Sequence, residues 1–277
     1  MIDFRIRTAA GAVALACSVA LAPGDPAAAS AGTTVGTAAG TTAGTTGAAP
    51  FRCLDPSGQG LWSGPQCDGV IVRELGTGAV AIVLDGRRID FADEAELRAD
   101  DCAARPSVTL PATSFESIPA GPDPLYAAVD RRVDVPRITP APHWRKDCRP
   151  VYRSDGRDPS VIFEQGFAPK DTVGGQYDIT SYVLQNQPSP YVSTTYDPEL
   201  YKKWKKVPWD YFIDAPGGIE VNATIGDQHQ YADQVEVAFP GGVDRHFIRR
   251  ACPVDRATAS LVESGCVDNP NYRPWLH

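Results

Sequence analysis

Long apolar segments are missing from this 277-residue chain. The longest, from about Ala9 to Ala22, falls short of the ~20 residues a membrane span requires, so no stable membrane association is expected. No Gly-x-Gly-x-x-Gly occurs, which argues against a Rossmann cofactor site. Histidine is scarce, with four in all, and no Cys-x-x-Cys pair is present, so zinc fits poorly and no metal is expected. Positive charge is in the minority: Lys and Arg total 26 against 34 Asp and Glu, a formal net charge of −8. An acidic chain is a poor general binder of polyanions. Between Ser30 and Pro50 charge is absent and large side chains nearly so. Such an Ala/Gly/Thr segment cannot bury enough surface to fold, and residues 30–50 read as a linker.

Arg5 and Arg7 precede the apolar run and Ala27-Ala28-Ala29 follow it, the pattern of a secretory signal over residues 1–29 cleaved after Ala29. A lipid-attachment reading at Cys17 is weaker, because Ala14-Leu15-Ala16 fits such a box poorly. A secreted chain keeps Cys53, Cys67, Cys102, Cys148, Cys252 and Cys266. An even number of cysteines in an exported chain points to disulfides, and loop economy favours Cys53–Cys67, Cys102–Cys148 and Cys252–Cys266.

Residues 51–103 resemble a small β-rich module. Gly69 to Leu75, Ala79 to Leu84 and Arg87 to Phe91 are strand-like, and Asp85-Gly86 is a good hairpin turn. Residues 104–142, rich in Pro and Ala, read as an extended connector. From 143 to 277 short helices alternate with strands. Asp158-Pro159 caps a helix ended by Gly166, Asp178 caps a second with Ile179, Tyr182 and Val183 on one face, and Asp197-Pro198 caps a third, shorter one. The fold class is α+β.

Three segments of that last region carry the chemistry. Val151-Tyr-Arg-Ser-Asp-Gly-Arg157 holds Arg153, Asp155 and Arg157; Tyr191-Val-Ser-Thr-Thr195 holds three consecutive hydroxyls; and Gln234-Val235-Glu236 opens a run to Phe239. Alternation puts Val235, Val237 and Phe239 on one face of that last strand and Gln234 and Glu236 on the other. In order and spacing these segments, with Ile162-Phe-Glu-Gln-Gly-Phe167, Ala215-Pro-Gly-Gly-Ile-Glu-Val-Asn222 and Glu236-Val-Ala-Phe-Pro-Gly-Gly242, resemble the mono-ADP-ribosyltransferase toxins of the Arg-Ser-Glu class, in their pierisin and scabin branch. The resemblance spans roughly 149 to 252 and implies a mixed two-sheet core and NAD as substrate.

It also implies roles. Breaking the nicotinamide–ribose bond passes through an oxocarbenium-like state, which a carboxylate at Glu236 would stabilise while accepting a hydrogen bond from the ribose. Ser193 would fix the Glu236 rotamer, and Thr194 either supports its strand or touches NAD. Arg153 offers a planar fork for the phosphate and adenosine side of NAD, or else pairs with Asp155; Asp155 and Arg157 order it or touch the nucleotide. Gln234 would meet the acceptor. In this family Gln there goes with targets other than arginine, including cysteine in proteins and guanine in DNA. The helix histidine of some relatives has no counterpart between His143 and His229. Lys202-Lys203-Trp204-Lys205-Lys206 holds four of the chain's six lysines beside Tyr201. Stacking on Tyr201 and Trp204, with Lys202 and Lys203 on phosphates, suits a nucleic acid or nucleotide containing guanine; equally, Leu200 and Trp204 pack inward and the lysines face water. The expectation is a secreted monomer that ADP-ribosylates guanine. A non-arginine protein target, a plain NAD glycohydrolase and a noncatalytic binding protein are the alternatives.

Overall fold

The structure, a computed structural model, describes residues 67–121, 123–204 and 207–273. The expected signal, the linker, Cys53, Lys205 and Lys206 lie outside the described residues. Among the described residues, no helix is long and apolar enough to cross a membrane.

The described residues form two sheets. The smaller is built from β1 (Ile71–Glu74), β2 (Val80–Leu84), β3 (Arg87–Phe91) and β4 (Ser107–Leu110), in the order β3-β2-β1-β4. Its β2–β3 hairpin turns at Asp85 and Gly86, both at positive φ, as a tight two-residue turn demands. Every residue of β2 is buried because both faces are covered. Ala81 and Val83 meet Phe115 and Ile118 of α2 (Ala112–Glu116) and the turn after it, while Val80, Ile82 and Leu84 cluster with Leu97 of α1 (Glu94–Ala99).

This sheet corrects the module boundary expected at 103. β4 runs parallel to β1, and α2 completes the core, so part of the segment read as connector belongs to the module. A parallel strand arrives from far along the chain, and nothing in its short Pro-bracketed sequence announces the partner. Nor is the module a separate body: the described residues fall in one compact unit. The Cys102–Cys148 disulfide ties the two regions together. Cys252–Cys266 also forms, as expected, and Cys67 is disulfide-bonded.

The larger sheet contains β5 (Val151–Asp155), β6 (Tyr191–Thr195), β7 (Trp209–Ile213), β8 (Ile219–Glu220), β9 (Glu236–Pro240), β10 (Ile248–Asp255), β11 (Ser260–Leu261) and β12 (Val267–Asp268). Their order is β11-β10-β7-β5-β6-β9-β8, with β8 at one edge and β12 also pairing β10. All its pairings are antiparallel. β5 pairs with β7 from Val151 to Asp155, but with β6 only through Tyr152 and Thr195. The sheet is therefore split between β5 and β6.

Apolar side chains fill both faces around this split. Val192, Val237 and Phe239 join Val151, Phe167 and Tyr211 in one core, while Tyr191 and Ala238 face α4 (Ile179–Gln185) and α5 (Val221–Ile225) in the other. The expected caps are in place: Asp158 accepts from Ser160 N–H ahead of α3 (Pro159–Gln165), and Asp178 from Ser181 N–H ahead of α4. The third helix is not. Only a single 3-10 turn forms, Leu200–Lys202, too short to present an i, i+4 face; its N-cap is Glu199 without a side-chain cap, and Asp197 accepts from Glu199 N–H at 2.8 Å. Gly242, at φ 86°, lies so close to Phe167 that a Cβ would sit 2.0 Å from its carbonyl oxygen, which explains the Pro-Gly-Gly turn after β9.

Candidate active site

A cleft of about 250 Å³ opens where the sheet splits, lined by Arg153, Ser193, Glu236, Gln234, Leu200 and Trp204 among others. A second hollow, lined by Tyr182, Tyr191 and Gln187, meets it at Arg153, Ser193, Lys170 and Asn186. Together they make an elongated groove running along β6.

Glu236 stands at the first position of β9, paired with Thr195 of β6. The Tyr182 hydroxyl donates to its Oε1 at 2.8 Å, and the Ser193 hydroxyl also hydrogen-bonds the carboxylate. Burial raises its pKa above the ordinary carboxylate range, against the pull of Ser193, Tyr182, Arg153 and His229. Burial likewise pushes the Tyr182 phenol well above its ordinary value, with the Glu236 charge adding to the effect. The result is a desolvated carboxylate, held by side-chain hydroxyls within the field of an arginine. Such a group is suited to stabilising a cation and accepting a hydroxyl proton.

Arg153 projects from β5 and is clamped: Nη1 donates to the Ser193 carbonyl at 2.7 Å and Nε to Asp155 Oδ2 at 3.2 Å. Asp155 also accepts from Arg157 Nη2 at 2.8 Å and Nε at 2.8 Å. Burial opposes its charge, yet Arg157 and Arg153 prevail and bring its pKa down to about 2. Asp155 thus orders both arginines, one of the two readings open from sequence.

Other expectations change. Gln234 is not on the strand with Glu236: it ends a 3-10 turn, Ala232–Gln234, and Val235 follows in the left-handed region at φ 39°. Val235 is 38% exposed rather than core. Such a backbone is strained for a β-branched residue, and Thr195 helps impose it by donating to the Gln234 carbonyl at 2.5 Å. Alternation therefore fails at the residue that matters, although Gln234 still lines the cleft with Glu236. Thr194 is buried and donates to the Val237 carbonyl at 2.8 Å, the strand-supporting alternative. Tyr201 is only 8% exposed and belongs to the interior, whereas Trp204 is 49% exposed over the cleft. Lys202 pairs with Glu199 and Lys203 with Asp233, so neither is a free cation waiting for phosphate.

Tyr182, Asn186 and Lys170 join the site without a signal in the sequence. Tyr182 sits on the helix between the Arg and Ser-Thr strands, where some relatives carry a histidine, and its spacing with Ile179 and Val183 marks it only as core. Asn186 is the left-handed cap ending α4, a conformation asparagine tolerates. Lys170 belongs to no pattern at all.

The family described as Scabin-like matches residues 151–272. A guanine-specific ADP-ribosyl transferase of Streptomyces coelicolor is 60% identical over 153 residues, 55% of this chain and 75% of that protein. Pierisin of Pieris brassicae is 37% identical over 113 residues, 36% of this chain but only 13% of pierisin. Among solved structures, the scabin toxin from Streptomyces scabies in complex with NADH is 62% identical with a TM-score of 0.55, covering 57% of this chain and 95% of that one.

Proposed function

The chain belongs to the scabin-like ADP-ribosyltransferases, and on that premise we propose that it transfers ADP-ribose from NAD to guanine, in nucleic acid or in guanosine nucleotides, releasing nicotinamide. The observation that carries this reading is the half-buried, desolvated Glu236, pinned by Tyr182 and Ser193 beside a clamped Arg153 at the split of the sheet.

NAD is the substrate that supplies the ribosyl group. Arg153, ordered by Asp155 and by the Ser193 carbonyl, presents its fork to the dinucleotide phosphates. Glu236 accepts a hydrogen bond from the ribose next to nicotinamide and stabilises the positive charge that grows on that sugar as the glycosidic bond breaks. Tyr182 and Ser193 hold Glu236 in one rotamer without neutralising it. Gln234, at the mouth, offers an amide that both donates and accepts, which suits a neutral base edge. Trp204 gives that base a ring to stack on. Paired Lys202 and Lys203 weaken the phosphate role expected of them, so recognition is assigned to the base rather than to that cluster. Export of the chain is proposed as well, supported by the signal-like residues 1–29 and by the disulfides; the N-terminal residue of protein recovered from medium checks it.

The test incubates wild type and Glu236→Gln with NAD, guanosine nucleotides, DNA and lysate protein, followed by mass spectrometry. A guanine adduct made only by wild type is expected. Adducts confined to protein would replace the acceptor, nicotinamide release without any adduct would leave a glycohydrolase, and intact NAD would remove the enzyme reading.

A further inference from the structure

A larger cleft, about 490 Å³, lies outside the catalytic groove and is lined by Arg105, Arg249, Arg250, Tyr152 and Phe212, with Asp101 and Asp214 on its walls. Tyr152 lines this cleft and the catalytic one alike. Because Tyr152 and Arg153 are neighbours on β5, the two clefts are separated by a single strand at the point where the sheet splits.

Arginines converge here for a structural reason. Consecutive strand residues point to opposite faces, yet Arg249 and Arg250 both line this cleft. The β10–β7 register shifts between Ile248 and Arg250, a bulge that re-aims side chains. Arg250 lies over the Phe212 ring at 4.3 Å, its Nη2 stands 3.7 Å from Glu263 Oε2, and its buried Nε has no hydrogen-bond acceptor among the described residues. Arg249 is exposed. Arg105 comes from the other side, from the segment that follows Cys102, and burial brings its guanidinium pKa down to about 10 while Asp214 favours its charge. The rings of Tyr152 and Phe212 meet edge to face at 5.3 Å. One guanidinium over an aromatic ring with two more arginines beside it, in a chain whose net charge is −8, marks a local site for an anion that carries flat groups. The wall holding Arg105 lies before residue 151, where the family match begins.

We propose that this cleft binds the phosphodiester chain flanking the target guanine, so that a nucleic acid crosses Tyr152 from the arginine cleft into the catalytic one. The proposal rests on the guanine-acceptor reading and selects within it a polymer over a free nucleotide. Arg249 and Arg250 contact phosphates, and Tyr152, which lines both clefts, offers its ring to a base of a single strand.

The experiment compares transfer from NAD to guanosine monophosphate and to a single-stranded oligonucleotide with one guanine among thymines, for wild type, Arg249→Glu and Arg249→Gln/Arg250→Gln, over a range of salt. Anisotropy of the labelled oligonucleotide is read alongside. The expected result is an oligonucleotide KM raised about tenfold and a salt slope reduced by about 0.7 for each phosphate that the variant no longer neutralises. NAD hydrolysis without acceptor and the KM for guanosine monophosphate stay at wild-type values. If wild type uses the oligonucleotide no better than the monophosphate, or if the variants shift both equally, the cleft is not a polymer site. Loss of guanine transfer in every form, with Arg249-dependent oligonucleotide binding intact, would discredit the acceptor reading alone. Intact transfer with binding indifferent to Arg249 would discredit the cleft alone.

Discussion

The two sheets each take a glutamate out of water, and they treat it differently. Glu74, at the end of β1, curls back on its own turn: Thr77 donates through both hydroxyl and N–H, and Gly76 N–H donates at 2.8 Å. These donors, the Thr77 hydroxyl foremost, lower its pKa. Glu236, at the start of β9, finds its partners far along the chain in Ser193 and Tyr182, and burial raises its pKa. A carboxylate saturated by neighbouring donors is a turn fastener. One that is desolvated and held by distant side chains keeps the capacity to act on something else. Asp210, on β7, is a third case: buried, with the Ser154 hydroxyl at 2.9 Å as its one side-chain partner among the described residues, its pKa is raised by burial to about 7.

Neutralising each carboxylate in turn puts this contrast to the test. Glu236→Gln should lower NAD turnover by about 10²–10³ with little change in thermal stability, whereas Glu74→Gln should leave turnover untouched. Initial rates of nicotinamide release, with a melting curve for each variant, check both. Next comes the module core. Leu97→Ala, in a fully buried site against β2, should cost about 2–5 kcal/mol of stability in denaturant titration while the folded fraction retains its turnover.

Asp210→Asn should follow, at the order of a few kcal/mol at pH 8. The folded Asp210 carboxyl holds its proton to about pH 7, well above the unfolded value. Wild-type stability should therefore fall as pH rises from about 4 through 7 and then level off. The Asn variant should flatten that slope, as melting temperatures across pH will show.

Tyr182→Phe should act mainly through Glu236. Glu236 works ionised, and its raised pKa places the acid limb of the rate profile above the ordinary carboxylate range. Removing a hydrogen bond that favours the charged form moves that limb to higher pH and slows turnover several-fold at acid pH. A shift in the other direction would show that Tyr182 does not support the charge. On the acceptor side, Trp204→Ala should raise acceptor KM while sparing NAD hydrolysis. The smallest effect is expected for Lys202→Gln/Lys203→Gln, whose exposed ion pairs should be dispensable for NAD turnover and nearly so for acceptor KM.

Much of the site is legible in the sequence because the strand segments are short and their chemistry is concentrated. Arg153, Ser193 and Glu236 stand on adjacent or split strands as their motifs imply, and Asp158 and Asp178 cap helices as their positions demand. Tyr182 escapes because a tyrosine at helical spacing with Ile179 and Val183 looks like core, and it is core; only the register of α4 over β9 turns its hydroxyl toward Glu236. Tyr201 and Trp204 are interchangeable on paper, and a single 3-10 turn buries the first and exposes the second.

Local rules therefore settled what depends on neighbours in the chain: the caps, the Asp85-Gly86 hairpin, the α+β class, and the residue types able to carry the chemistry. The tertiary structure decided what depends on distant segments meeting. It set the parallel docking of β4 on β1, the split at Tyr152–Thr195, the left-handed Val235 that separates Gln234 from the strand, and the bulge that turns two arginines into one cleft. Burial is the physical reason for the difference. Hydrogen-bonding and φ/ψ preferences act over a few residues, but the desolvation that tunes Glu236 and Asp210 exists only once the whole fold has closed around them.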